Sequence, residues 1–130
     1  MKTTFLNGDK ELKKRALNYW NTRLNDLTKF MNDPEYNDPD IGNFYDYGLC
    51  IDYVVPGTFG KRGYLRYQFS WGGPSDEIRF YSQDKIEYVF LDWFVGVGFN
   101  ITDTEVGQWL YDYFQDTGIL QNEYEKAMEE

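Results

Sequence analysis

Histidine is absent, cysteine occurs once, proline four times, and 13 lysines and arginines face 22 aspartates and glutamates. Each shortage excludes something. Without histidine the chain lacks the commonest general base near neutral pH, which counts against most acid-base and nucleophilic catalysis. Cys50, standing alone, rules out an intramolecular disulfide and a cysteine-based zinc site. It lies between Leu49 and Ile51 in a strand-like run, where a small buried hydrophobe is the natural role, and its solitude fits a reducing cytoplasm. No apolar run approaches the ~20 residues that span a bilayer, and Asn7-Gly8-Asp9 interrupts the N-terminus before an apolar signal core develops. The expected location is cytoplasmic, with no membrane contact. Gly72-Gly73 and Gly96-Val97-Gly98 lack both the phosphate-loop lysine and the full dinucleotide fingerprint, and no stretch has the acidic spacing of a calcium loop, so no cofactor is expected.

What the chain has is acid and aromatic surface. Twelve tyrosines, ten phenylalanines and four tryptophans supply one residue in five. Such side chains bury ~150–250 Å² each, enough for 130 residues to form one domain over 1–130 rather than a disordered acidic chain. The net charge of −9 is unevenly spread. Asp33 to Tyr53 holds six carboxylates and no base, and from Asp92 onward nine carboxylates meet only Lys126. A surface of this kind repels phosphate backbones and attracts basic proteins.

The hydrophobic pattern predicts an α+β fold. Leu12, Ala16, Trp20, Leu24, Leu27 and Met31 recur at helical spacing over about Lys10–Met31, with Asn7 or Asp9 as cap and Asn32-Asp33-Pro34 as the stop. Lys10, Lys13, Lys14 and Arg15 crowd its first turns, where the helix dipole prefers anions. After a loop over Asp33–Asn43, four strand-like runs follow, about Phe44–Val55, Tyr64–Trp71, Glu77–Tyr81 and Ile86–Phe94, joined by tight turns at Gly72–Ser75 and Ser82–Asp84. Short connections join antiparallel neighbours, so a four-stranded meander is expected. Gly96–Gly98 reads as a break, with Phe99–Ile101 a last extended piece. Thr102 and Glu105 have capping-box spacing ahead of a helix over about Thr104–Gln115, Thr117-Gly118 closes it, and a second helix runs from Ile119 to about Met128. The predicted order is αββββαα, with the helices packed on the sheet.

Candidate sites divide into chemical and interactive ones. Asp76, Glu77 and Asp92 could hold a hard metal or act as acid and base, but adjacent Asp76 and Glu77 point to opposite faces of an extended segment. Their plainer reading is a solvated turn in which Ser75 and Asp76 bond local amides. On the predicted late helix, Glu105, Asp112 and Asp116 fall within about 40° of one another, with rises of ~10 and ~6 Å, comparable to phosphate spacing along a strand. A polar helix face needs some such residues in any case. Between Pro34 and Tyr53, however, Tyr36, Tyr45, Tyr47 and Tyr53 interleave with Glu35, Asp38, Asp40, Asp46 and Asp52, mixing rigid contact area with steering charge. Lys61, Arg62 and Arg66 are too few to form a nucleic-acid patch.

The run Arg66-Tyr67-Gln68-Phe69-Ser70-Trp71-Gly72-Gly73-Pro74-Ser75-Asp76-Glu77-Ile78-Arg79-Phe80, with Glu87-Tyr88-Val89-Phe90-Leu91-Asp92-Trp93-Phe94, resembles segments of small acidic proteins carried by phages, plasmids and integrative elements. That context is similar to antirestriction and anti-CRISPR proteins. It implies stoichiometric inhibition of a defence protein, sometimes by imitating DNA, and it carries over no functional residue. The expected function is therefore non-enzymatic: an inhibitor that sets Glu105, Asp112, Asp116 and the Glu35, Tyr36, Asp38, Asp40, Tyr45, Asp46 stretch against a basic host protein, a restriction nuclease or CRISPR effector. An immunity or antitoxin protein that neutralises a basic toxin would have the same composition. A small carboxylate-dependent enzyme built on Asp76, Glu77 or Asp92 is the third possibility.

Overall fold

The longest periodic run forms the longest helix. In a computed structural model that describes residues 1–129, α1 spans Lys10–Asn32, and the Oδ1 of its cap, Asp9, accepts from the Leu12 amide at 3.0 Å. It stops at Asp33, ahead of Pro34, because proline disfavours helical geometry in the residue before it. Leu12, Ala16, Trp20, Leu27 and Phe30 lie on one arc and are buried. The crowded bases at its start are partly offset by Asp92, whose carboxylate meets Arg15 at 2.8 Å.

The fold is α+β, but the sheet has six strands rather than four. Its order is β1 (Thr3–Asn7), β8 (Val95–Asn100), β7 (Lys85–Asp92), β6 (Ser75–Ser82), β5 (Tyr64–Ser70), β4 (Cys50–Val54), antiparallel throughout. From β4 to β8 it is the expected meander, extended by one strand, and β1 adds a second edge beside β8. A further ladder of two short strands, β2 (Asn37–Asp38) and β3 (Gly42–Asn43), lies within the acidic loop.

Glycines hid β8, and close packing explains why they are there. A Cβ on Gly96 would come within 2.7 Å of Leu91 Cδ2, and one on Gly98 within 2.6 Å of Phe5 Cε1. The smooth backbone lets β1 lay Phe5 across β8, so these glycines mark a close approach rather than a break. The run read as one strand from Phe44 opens instead as a helical turn, α2 (Phe44–Tyr47), capped by Asn43, whose Oδ1 accepts from the Asp46 amide at 2.9 Å. Only Cys50–Val54 is strand. The strand expected to reach Phe94 ends at Asp92, and Trp93-Phe94 turns the chain into β8.

Alternation fixes the two faces of the sheet. Leu65, Tyr67 and Phe69 of β5, Ile78 and Phe80 of β6, Ile86, Tyr88 and Phe90 of β7, and Val97 and Phe99 of β8 share the core with α1 and α3 (Glu105–Asp116). Trp71, expected to continue this face, is exposed in the turn. Trp20 packs on Tyr88 at 5.0 Å between ring centres, and Phe114 on Tyr67 at 5.2 Å. Helix α3 is capped by Thr104, not Thr102: the Thr104 Oγ1 accepts from the Gly107 amide at 3.0 Å. Thr102 is drawn away, accepting from the Ile86 amide at 2.9 Å and tying α3 to β7. Gly118, at φ 81°, separates α3 from α4 (Ile119–Met128), which packs on β4 through Tyr124 and Tyr53. The opposite sheet face carries Arg66, Gln68, Glu77, Arg79, Tyr81, Glu87 and Val89. Among the described residues no helix is long and apolar enough to cross a membrane.

Candidate functional site

The three carboxylates considered for chemistry are held apart. Asp76 is 1% exposed and points among the helices, Glu77 points to the opposite face, and Asp92 lies at the far end of β7 against Arg15. Asp76 is not in a solvated turn. Arg23 of α1 grips it with two bonds of 2.8 and 3.1 Å, Tyr88 donates at 2.8 Å and Ser70 at 2.5 Å. Arg23 also donates to the Tyr47 hydroxyl at 3.2 Å, and that hydroxyl donates to Asp26 at 2.6 Å. Burial and the neighbouring carboxylates push the Tyr47 and Tyr88 hydroxyls well above the ordinary tyrosine range. Every Asp76 oxygen is engaged, which leaves none for a substrate and makes the cluster a bolt between α1 and the sheet. Glu77 is tied to Arg79 at 2.8 Å. Among the described residues, no group of three cysteine, aspartate or glutamate side chains is placed to hold a metal ion.

The interactive candidates lie on two elements, α3 and the loop that runs into α2. Glu105, Asp112 and Asp116 are all exposed along α3, and among the described residues none forms a salt bridge. Trp109 and Tyr113, which flank this stripe, both pack on Phe44 of α2 at 5.1 Å between ring centres. That contact seats α2, at the end of the acidic loop, against the helix that carries the acidic stripe. Sequence reasoning missed it, because the helical turn that presents Phe44 was read as strand.

Between α2, β4 and the α3–α4 corner lies an open groove of about 260 Å³, lined by Phe44, Tyr45, Leu49, Cys50, Tyr113 and Ile119 among others. Tyr45 is 76% exposed and Leu49 51%, both large for apolar side chains at a groove. Burial, chiefly, and the nearby Asp52 carboxylate raise the Cys50 thiol above its ordinary range, which disfavours the thiolate where it lines the groove.

The loop carboxylates are not equivalent. Asp52 is neutralised by Arg66, a two-bond pair at 2.9 and 2.7 Å, and leaves the set. Asp38 accepts from the Ile41 and Asp40 amides and the Tyr36 hydroxyl, each at 2.8 Å, bonds that hold its carboxyl below the usual carboxylate range. Asp46 bonds Asn43 of its own turn. Neutral donors order these two without cancelling their charge, and Glu35 and Asp40 stay exposed. Tyr36 is half-buried against Phe30, with Lys29 over its ring at 5.9 Å, a base bordering the loop. No family model, curated protein or solved structure matches the chain.

Proposed function

We propose that the protein is a non-enzymatic inhibitor that binds the nucleic-acid-binding surface of a basic host defence protein, a restriction nuclease or CRISPR effector, through the face built from α3, α2 and the acidic loop. The observation that carries this reading is the packing of α2 on α3 across the Phe44–Trp109–Tyr113 contact, beside a groove with exposed Tyr45 and Leu49. An apolar centre ringed by charge is the anatomy of a specific protein interface. Carboxylates spaced like phosphates give that ring its preference for a surface that holds DNA or RNA, and attraction over several residues speeds the encounter. Asp76, fully engaged inside the protein, and Glu77, facing away from it, offer little support for a carboxylate enzyme. A partner that is a basic toxin would use the same charges, and the identity of the inhibited protein separates the two.

The test is inhibition of DNA cleavage by a panel of restriction nucleases and CRISPR effectors, with duplex DNA as competitor. Inhibition should be stoichiometric and relieved by excess DNA. Inhibition that persists unchanged at saturating DNA would defeat mimicry.

A further inference from the structure

In a chain of net charge −9, one end of the sheet is basic. Where the β4–β5 loop meets the β6–β7 hairpin, Phe59, Lys61 and Arg62 of the loop, Tyr64 of β5, Arg79 and Tyr81 of β6, and Lys85 of β7 enclose a cleft of about 290 Å³. It opens on the sheet face that carries Arg66, Glu77 and Glu87, away from the acidic groove. Tyr64 and Tyr81 pack at its base with ring centres 5.1 Å apart and planes tilted by 53°. The Arg79 guanidinium sits 4.8 Å over the Tyr64 ring, and Arg62 and Lys85 sit 5.5 and 4.7 Å from the centre of the Tyr81 ring. Aromatic faces thus hold three cations around one small volume.

The carboxylates nearby balance them only in part. Glu77 pairs with Arg79 at 2.8 Å and cancels its charge, while Glu87, held by the Thr4 hydroxyl and by the Tyr81 hydroxyl at 3.5 Å, stays negative and is outweighed by Lys61, Arg62 and Lys85. Lys61, Arg62 and Lys85 form no salt bridge among the described residues. Exposed lysines alone would be only a solvated loop. Tyr64 is the second observation: it lines the cleft at 2% exposure, and its hydroxyl oxygen, shut off from solvent, has no hydrogen-bond partner. Buried polar groups are nearly always paired, so an orphan calls for an acceptor from elsewhere. A tyrosine hydroxyl is already a donor at neutral pH, and burial pushes this one further up, to about 12.

We propose that this cleft binds the phosphate group of a small phosphorylated molecule, with Arg62 and Lys85 neutralising its charge and the Arg79 N–H groups not held by Glu77, together with the Tyr64 hydroxyl, donating to its oxygens. Guanidinium and ammonium groups around one point match a phosphate dianion, and the volume admits the phosphate with a small attached group. Phe59, 67% exposed at the rim, offers a surface for a sugar or base carried on that phosphate. The site is independent of the acidic face and does not require the function proposed for it.

The probes are inorganic phosphate, ribose 5-phosphate and adenosine monophosphate, each titrated by calorimetry and by thermal melting against sodium chloride of equal ionic strength. Saturable heats and a rise in Tm that chloride does not give are expected. Inorganic phosphate as tight as the organic phosphates identifies free phosphate as the source, and tighter organic phosphates identify a carried group. R62Q/K85Q should weaken binding at least tenfold. Tyr64→Phe should leave the fold intact and weaken binding several-fold, which a merely structural tyrosine would not. A Tm response no larger than that of chloride for all three probes, or binding unaltered in R62Q/K85Q, overturns the proposal.

Discussion

Arg23 and Asp76 meet at the border of the core, the aspartate side chain fully buried and the arginine 19% exposed. A buried ion pair gains little over a well-packed apolar pair, but breaking it strands a charge. Arg23→Met should therefore cost ~3–5 kcal/mol in urea unfolding, and Arg23→Met with Asp76→Leu should recover most of that loss. A double variant as unstable as the single one would mean that packing, not charge, is at issue. Tyrosines set a second limit. Burial raises the hydroxyls of Tyr64, Tyr67, Tyr81 and Tyr88, Tyr64 to about 12. In the unfolded chain they ionise near ~10, so above that pH the unfolded state sheds protons that the folded state keeps. Stability should be full below pH ~10 and fall as pH rises toward about 12, read as a falling urea midpoint with part of the phenolate absorbance withheld until unfolding. The full phenolate absorbance of the twelve tyrosines appearing near ~10 before unfolding would contradict it. At the other end of the sheet Trp93 turns the β7–β8 hairpin with φ 58° while 82% exposed. That position suits glycine, and a bulky residue there is strained. Trp93→Gly should raise stability by about 1 kcal/mol, measured by thermal melting, and a loss would mean that the Trp93–Gly73 contact outweighs the strain.

Helix ends were easier to foresee than strand ends, for a physical reason. A cap is a local bond, and Asp9, Thr117 and Gly118 stand where the sequence places them. At α3 two threonines competed, and the tertiary bond of Thr102 to Ile86 left Thr104 as the cap. Thr104→Ala should cost ~1 kcal/mol, by urea unfolding, and Thr102→Ala should leave the α3 start helical. Amide exchange showing α3 fraying only in the Thr102 variant would reverse the assignment. Strands were legible where one face is wet: Tyr64–Ser70 alternates, and its inward residues Leu65, Tyr67 and Phe69 are buried as expected. They were illegible where both faces are covered or the pattern carries no side chain. Gly96 and Gly98 give no alternation to read, and β1 is a strand only because those glycines admit it. The same limit applies to the candidate face. Glu105, Asp112 and Asp116 could be placed by helical arithmetic, whereas the packing of α2 on their helix depends on Phe44 reaching Trp109 and Tyr113, contacts more than 60 residues away in the chain. Asp52 looked free for want of a neighbouring base in sequence, yet the β4–β5 register sets Arg66 directly across from it.

Over the whole molecule charge is sorted rather than merely in excess. Acid occupies the α3 stripe and the adjoining loop, while Lys61, Arg62, Arg79 and Lys85 gather at the β4–β5 and β6–β7 end and Lys10, Lys13 and Lys14 at the start of α1. If the proposed basic partner exists, this sorting would orient it as well as attract it. Exposed rim charges each contribute ~0.5–1 kcal/mol in such encounters, so reversing three of them should weaken binding roughly ten- to hundred-fold. The most direct measurement compares the protein with E105K/D112K/D116K as inhibitors of DNA cleavage across the nuclease and CRISPR-effector panel, at low and high salt, with thermal melting to confirm an intact fold. At least one member should be inhibited by the unmodified protein, less so at high salt, and the reversed variant should lose that inhibition at least tenfold. Inhibition that survives the three reversals, or a panel in which no member is inhibited, would contradict the account.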